Sequence, residues 1–288
     1  MIDAPRTVLK VRRDTTDSVS GDPKSVERVN EFLRRTREHL APADRVACKI
    51  TVVESIPSHC GFGSGTQLGL AVASMASLMT GEPQPALPTL ARRVQRGMRS
   101  AIGLYGFQQG GFLVDGGRLE ANQLGTLVSR VDFPDEWRFV LAMPLQATGL
   151  SGAAEQSAFV RQPPMPTTLT ADLCRIVLMD WLPAVIEHDF ARCSESLFTF
   201  GHAVGEFFTP TQGGVFAHPR MASWVNLIRR GGVQGVAQTS WGPTLAALCS
   251  SPSHAQQLCH DFSHDPAWSD CSFTIVCPLN RGAQIEVA

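Results

Sequence analysis

The sequence predicts an α+β protein built as two domains, and three observations lead there. The chain has 288 residues, which suits two domains of ordinary size or one elaborated α/β domain. Hydrophobic residues make up 43% and charged residues 18%, enough for a sizeable core and too apolar for disorder. Strand-like alternation is mixed with helical spacing, and hairpin-like strands stand side by side in the first half, unlike a regular βαβ ladder. The expected domains are residues 1–134 and 135–288, the second opening on the strand that follows "FPDE".

Taken in order, "TVLKVRR" alternates as a strand and is followed by a polar turn at "SGDP". Pro23 to Leu40 places Val26, Val29, Phe32, Leu33 and Leu40 at helical spacing behind Pro23. Ala47 to Ile56 is a strand. Thr66 to Met79 is a helix, apolar on nearly every side and so expected to be buried. Leu87 to Gly97 is a helix closed by Gly97. Gly110 to Leu119 reads as two strands joined at Asp115-Gly116-Gly117. Trp137 to Leu145 is a strand. Three helical stretches follow: one broken or kinked at Pro183, one in "FARCSESLFTFGHAVGEFF", and one closed by Gly231-Gly232. "GVQGVAQTS" reads as a short strand and turn, "PTLAALCS" as a short helix on Pro243, and "CSFTIVCPL" as a strand, with a further strand in "GAQIEVA".

Several function classes are disfavoured. The net charge is −1 and the pI about 6.7, so neither nucleic-acid nor membrane binding is expected. The N-terminus lacks an apolar secretory core, and no run of about 18 apolar residues occurs; the expectation is a soluble, cytoplasmic protein. The eight cysteines form no CxxC pair and read as reduced, buried thiols. "HDFSHD" is the one His/Asp cluster; it reads as a polar loop rather than a metal site.

The stretch richest in chemistry is "PSHCGFGSGTQ", which leads into the buried helix. It is neither a P-loop nor a strand-anchored GxGxxG. Alternating glycines let backbone N–H groups converge and let a bulky anion approach. The helix start adds unpaired N–H donors and partial positive charge, and Ser64 and Thr66 add hydroxyls. Phosphate binding is favoured over a plain helix cap.

This stretch resembles the second motif of the GHMP small-molecule kinase superfamily, and "GVAQTSWGPTLAA" resembles its third. Within the superfamily, "GSGTQLGLAVA", "QRGMRSAIGLYGFQQGGFLVDGG" and "AQTSWGPT" together resemble the beta-ribofuranosylaminobenzene 5'-phosphate synthase family. The matching pieces span Pro57 to Gly117 and Gly235 to Thr244. The resemblance implies a two-domain GHMP-kinase-like fold with its site between the domains. It implies condensation of phosphoribosyl pyrophosphate with para-aminobenzoate or a hydroxybenzoate, releasing CO2 and pyrophosphate, on the way to methanopterin-type one-carbon carriers. It also implies Mg2+ and a homodimer. Members of the family begin with an Arg-Leu-His-Phe-Gly-like strand. "MIDAPRTVLKVRR" resembles the segment after it, so a truncated N-terminal edge is expected.

Gly61, Gly63, Ser64, Gly65 and Thr66 are the candidates for the phosphate or pyrophosphate, with His59, Arg96 and Ser100 beside them. Arg99 and Glu155 are the candidates for the chemistry itself, Glu155 near the metal or the ring. Gln108, Gln109, Gln238, Ser240, Trp241 and Gly242 are candidates for substrate contacts, and Trp241 either stacks on the aromatic ring or seals the domain interface. Asp115 reads as a turn residue. Many GHMP kinases carry an Asp before a strand with Gly-Gly; here that position falls near Gly103, and no carboxylate stands between Arg99 and Gly111. A kinase would lack that base. A GHMP-type kinase and a non-catalytic homologue that binds a phosphorylated metabolite stay open as alternatives.

Overall fold

The computed structural model describes residues 1–81, 83–118, 120, 123–146 and 162–286. Strands β1 (Val8–Arg13), β2 (Ser18–Ser20) and β3 (Cys48–Glu54) form one sheet, with helix α1 (Pro23–Glu38) between β2 and β3 in the chain. β3 is central, antiparallel to β1 and parallel to β2. Period-two alternation buries Cys48, Ile50 and Val52 on one face of β3. Against that face pack α1 and three further helices: α2 (Ser64–Thr80), α3 (Leu87–Val94) and α4 (Ile102–Gln109). Val29, Phe32, Ile50, Leu70, Val94 and Leu104 make up the centre of this core. α1 starts where the Asp22 side chain accepts from Ser25 N at 3.0 Å, with Pro23 in its first position, and carries Arg35 and Arg37 in its last turn.

Strands β4 (Phe112–Asp115) and β5 (Leu127–Val131) pair antiparallel. The second half then runs through β6 (Arg138–Pro144), α5 (Thr167–Arg175), a π-helical turn at Ile176–Trp181, α6 (Leu182–Ile186), α7 (Phe190–Gln212) and α8 (Met221–Arg230). It continues through β7 (Val236–Gln238), β8 (Leu245–Cys249), α9 (Pro252–His264) and β9 (Cys271–Val276). The sheet order is β7-β8-β6-β9, antiparallel throughout. Its core gathers Val140, Trp224, Ile228, Leu245, Phe262 and Trp268. A third cluster of Phe133, Trp137, Val185 and Leu248 takes in Phe112 and Val131 of the β4–β5 ribbon, joining it to the second sheet. The first three residues run beside 277–279: Asp3 N donates to Cys277 O at 3.0 Å and Leu279 N to Met1 O at 2.9 Å. Among the described residues no helix is long and apolar enough to cross a membrane, and all eight cysteines are free.

The α+β expectation holds, and several element assignments are corrected. "PTLAALCS" forms strand β8, not a helix: Leu245, Ala247 and Cys249 face one core while Leu248 faces another. A strand buried on both faces reads as an unbroken apolar run, and Leu and Ala favour helix only until pairing with β6 and β7 overrides them. "HDFSHD" is the end of α9, whose narrow apolar face of Ala255, Leu258 and Phe262 does not stand out in sequence. The partner of β4 is β5, because the ladder runs on through Gly116 N to Thr126 O and Thr126 N to Gly117 O, both 2.9 Å. No strand forms over residues 282–286; Ala283 N is instead held by Phe107 O at 2.7 Å. α3 ends at Val94, since Gln95 itself takes the left-handed cap at φ 54°. At Pro183, which has no N–H to give and crowds the preceding turn, the helix widens into the π-turn and carries on.

Asp17 ties β2 to the first core. Its carboxylate accepts from Arg37 Nη2 at 2.8 Å and Cys48 N at 3.0 Å, and the Arg37 guanidinium is the main reason its pKa lies below the usual carboxylate value. A carboxylate with a depressed native pKa adds stability above its unfolded pKa and loses it as the pH falls. Asp17→Asn is therefore expected to lower the unfolding free energy from urea titration at pH 7 by about 1 kcal/mol, and the midpoint with it, the pair being part-exposed; the deficit should shrink as the pH falls below about 3.9. An unchanged midpoint at pH 7 would contradict this role.

Candidate functional site

The loop between β3 and α2 is shaped by alternation. His59, Gly61 and Gly63 have φ of 64°, 81° and 67°. Placing every second residue in the left-handed region turns successive N–H groups toward one side, the geometry of an anion nest. Gly63 is the helix cap, and its carbonyl takes Thr66 N at 2.9 Å and Gln67 N at 3.2 Å. Ser64 N and Gly65 N lie in the first turn, where no intrahelical carbonyl is available. A side chain added at Gly63 would meet nothing within 4 Å: the cradle opens outward.

The second half of the chain holds this loop in place. Cys60 O accepts from Thr244 Oγ1 at 2.9 Å and from Thr239 Oγ1 at 3.1 Å. Gly61 then passes so close to Thr239 that a Cβ would collide with the Thr239 carbonyl oxygen; only glycine meets both this contact and the positive φ. Across a trans peptide the C=O and N–H point opposite ways, so capture of Cys60 O turns Gly61 N–H away from the threonines. Burial raises the Cys60 thiol pKa, keeping the side chain neutral beside the cradle.

The turn that supplies the threonines is itself braced. Gln238 Oε1 accepts from Ala217 N at 2.7 Å, and its Nε2 donates to Ser240 O at 2.9 Å. Gly242 N donates to Thr239 O at 2.6 Å. Trp241 is 8% exposed and meets Phe208 edge-on at 5.1 Å, so its ring lies within the packing of the second half. Ser240 is exposed, at φ 45°.

Two guanidinium groups converge on the first turn of α2. At Gly65 a Cβ would stand 3.1 Å from Arg96 Nη2 and 3.4 Å from Arg28 Nη2. Arg96 lies over the Phe32 ring at 5.4 Å. Arg28 donates to Ser58 Oγ at 2.7 Å and to Ser64 Oγ at 3.3 Å. Burial lowers its pKa, Asp22 opposing the effect, and the group stays charged. Among the described residues, its hydrogen-bond partners are these two neutral hydroxyls. Arg28 is absent from the sequence expectations. The signal for it is a pair of i,i+4 spacings: Arg28 and Phe32 on α1 face Gly65 and Gly69 on α2.

The remaining candidates divide. Gly103 packs against Thr66, and its carbonyl accepts from Gln67 Nε2 at 2.8 Å, so α4 begins beside the start of α2. Arg99 and Ser100 are exposed in the turn just before α4. Asp115 accepts from Ala101 N at 2.7 Å and Gly117 N at 2.9 Å, fixing that turn and its own. Gln108 and Gln109 lie at the other end of α4, about 10 Å along its axis, beside Gly282 and Arg130. His59 is exposed in the loop, and Glu155 lies outside the described residues. No group of three or more metal-ligating side chains occurs among the described residues. Where β3 leads into the loop, an open cleft is lined by Asp3, Arg6, Glu54, Ser55 and Arg281, and Arg6 pairs with Glu54 through two bonds of 2.9 and 2.7 Å. The arrangement suits a multiply charged anion seated on backbone donors and flanked by arginine.

No protein-family model matches the chain. Among curated proteins, it is 30% identical over 240 residues to the beta-ribofuranosylphenol 5'-phosphate synthase of Methanothermobacter thermautotrophicus, covering 77% of this chain and 69% of that protein. It is 28% identical to the synthase of the same name from Archaeoglobus fulgidus, covering 99% of this chain and 90% of that one. Among solved structures, it superposes on L. major mevalonate kinase with a TM-score of 0.68 at 12% identity, covering 95% of this chain and 86% of the kinase. It superposes on Cytophaga hutchinsonii homoserine kinase with a TM-score of 0.63 at 13% identity, covering 98% and 88%. At those identities the structures speak for the fold, a GHMP-kinase-like one.

If the second half holds the cradle in shape, Thr244→Val should weaken the binding of inorganic pyrophosphate roughly 5-fold in calorimetry while leaving a folded protein, since one hydrogen bond is worth about 1 kcal/mol. Full retention of affinity would show that the loop keeps its form without the threonine.

Proposed function

Because the chain belongs to the beta-ribofuranosylphenol 5'-phosphate synthase family, we propose that it joins phosphoribosyl pyrophosphate to a para-substituted benzoate with loss of CO2 and pyrophosphate. The observation that carries this reading is the convergence of backbone donors and two guanidinium groups at the start of α2. Such a site suits a leaving pyrophosphate. The bond from ribose C1 to the pyrophosphate oxygen breaks, and its electron pair departs with the pyrophosphate. The ring carbon bearing the carboxylate bonds to C1, and the electrons of the ring–carboxyl bond return to the ring as CO2 leaves. Fixed donors aimed at the departing charge lower that barrier without having to reorganise.

The relatives' name puts a phenol in the product, so para-hydroxybenzoate is the first ring to try and para-aminobenzoate the second. The product would feed methanopterin-type carriers. The cradle does not fit a resident Mg2+: the side chains facing it are Arg28, Arg96, Ser58 and Ser64, and Ser64 already takes a bond from Arg28. We propose that Mg2+ enters with the pyrophosphate, as it commonly does with phosphate substrates.

The GHMP-type kinase is the alternative. Near the position where many such kinases carry Asp stands Gly103, with its backbone against Thr66, and the nearby carboxylate of Asp115 is engaged by Ala101 N and Gly117 N. The test is incubation of the protein with phosphoribosyl pyrophosphate, Mg2+ and carboxyl-labelled para-hydroxybenzoate or para-aminobenzoate. Labelled CO2 released in step with pyrophosphate is expected from at least one ring. Absence of label from both would overturn the proposal, and ATP consumption with a small alcohol would favour the kinase.

A further inference from the structure

We propose that His260 and His264, at the C-terminal end of α9, form a two-imidazole site for a divalent transition-metal ion of the Zn2+, Ni2+ and Cu2+ class. The site lies outside the anion cradle and has no part in the proposed reaction.

In a loop, the spacing of "HDFSHD" would carry no fixed geometry. The structure makes it helix, α9 running from Pro252 to His264, and residues four apart on a helix lie one above the other on the same face. The imidazole centroids of His260 and His264 are 4.2 Å apart, with the rings tilted by 40°. Two nitrogens on one tetrahedral ion, each bonded at about 2.0–2.1 Å, stand about 3.3 Å apart. Rings this close bring their nitrogens to that separation by turning about side-chain bonds, without moving the helix.

The hydrogen bonds leave the ligand atoms open. His264 Nδ1 lies 2.7 Å from His260 O. A carbonyl oxygen only accepts, so Nδ1 carries the proton and the neutral ring presents its lone pair at Nε2. Metal-bound imidazoles are commonly held this way, one nitrogen donating to a carbonyl and the other on the ion. The His260 ring makes no hydrogen bond or ion pair among the described residues, its ring contact being with His264. Both residues are exposed, so an ion and its waters have access.

Charge also favours a cation. α9 carries no Lys or Arg, and the carbonyls of its last turn add partial negative charge. Asp261 and Asp265 each follow one of the histidines. Their carboxylates accept from Gln257 Nε2 and Ala267 N, both at 2.8 Å, and neither donor is charged. No third metal-ligating side chain joins the pair among the described residues, so water completes the coordination. Two imidazole nitrogens suit a borderline ion; Mg2+ and Ca2+ prefer oxygen. An ion bridging the pair would clamp the turn from which Phe262 stacks on Trp268 at 4.3 Å.

The test is calorimetry of the untagged full chain with NiCl2, and separately with MgCl2, on wild type, His260→Ala, His264→Ala and the double variant. Wild type is expected to bind Ni2+ and to show no comparable uptake of Mg2+, and either single substitution should weaken Ni2+ binding at least about 10-fold. The double variant should bind no more weakly than either single one, because a chelate is lost with its first ligand. Thermal melts without metal confirm that each variant is folded, and if one single variant is not, the other decides. Unchanged Ni2+ affinity in a folded variant, losses that add in the double variant, or Mg2+ binding equal to that of Ni2+ would each overturn the proposal.

Discussion

The carbonyl oxygen of Cys60 takes hydrogen bonds from two threonine hydroxyls that lie 179 and 184 residues further along the chain. Most of what the site can do depends on this contact. A carbonyl aimed into an anion site would repel the ligand, and a free loop of small residues would sample many shapes. The double capture turns that oxygen toward the threonines, sets the peptide plane ahead of Gly61, and explains why glycine stands where the two halves touch. Each half has its own core, and the contact links the loop of the first to a turn of the second. The rest of the "TSWGPT" turn serves the same end, with Gln238 bracing it and Trp241 packed beneath it on Phe208.

Charge is the second constraint. The chain as a whole is nearly neutral, yet the start of α2 gathers a helix N-terminus and two guanidinium groups, with a neutral thiol alongside. Local concentration of positive charge on rigid elements, in a loop whose donors are already oriented, is how a site stabilises a departing anion without help from the bulk field of the protein. The helix pair that delivers Arg28 depends on small residues: Phe32 of α1 lies against Gly69 of α2, and Arg28 reaches the turn at Gly65 in the same way. A larger residue at either glycine would move α1 and its arginine together.

How much of this was legible depended on how local each feature is. α2 and its glycine loop were readable because an apolar run and alternating glycines sit within one short stretch, and the "TSWGPT" turn was readable as a motif. Strand β8 was not, because Leu-Ala-Ala-Leu favours a helix until strands on both sides claim it. The run of Ser18 to Ser20 is too short and polar to stand out, and becomes a strand only by pairing with β3. Arg28 was invisible for a related reason: on α1 it is one arginine among several, and only the approach of α1 to α2 brings it to the loop. Gln108 and Gln109 attract notice in sequence, but helical rise carries them to the end of α4 away from the cradle.

The central claim is that the start of α2, held by the second half of the chain and flanked by Arg28 and Arg96, is where pyrophosphate sits. A crystal structure of the protein with pyrophosphate bound tests it most directly. The account predicts the pyrophosphate on the backbone N–H groups of residues 61–65, at the first turn of α2 beside Arg28 and Arg96. Pyrophosphate bound instead in the cleft of Arg6 and Arg281, with the loop of residues 58–63 unliganded, would contradict it.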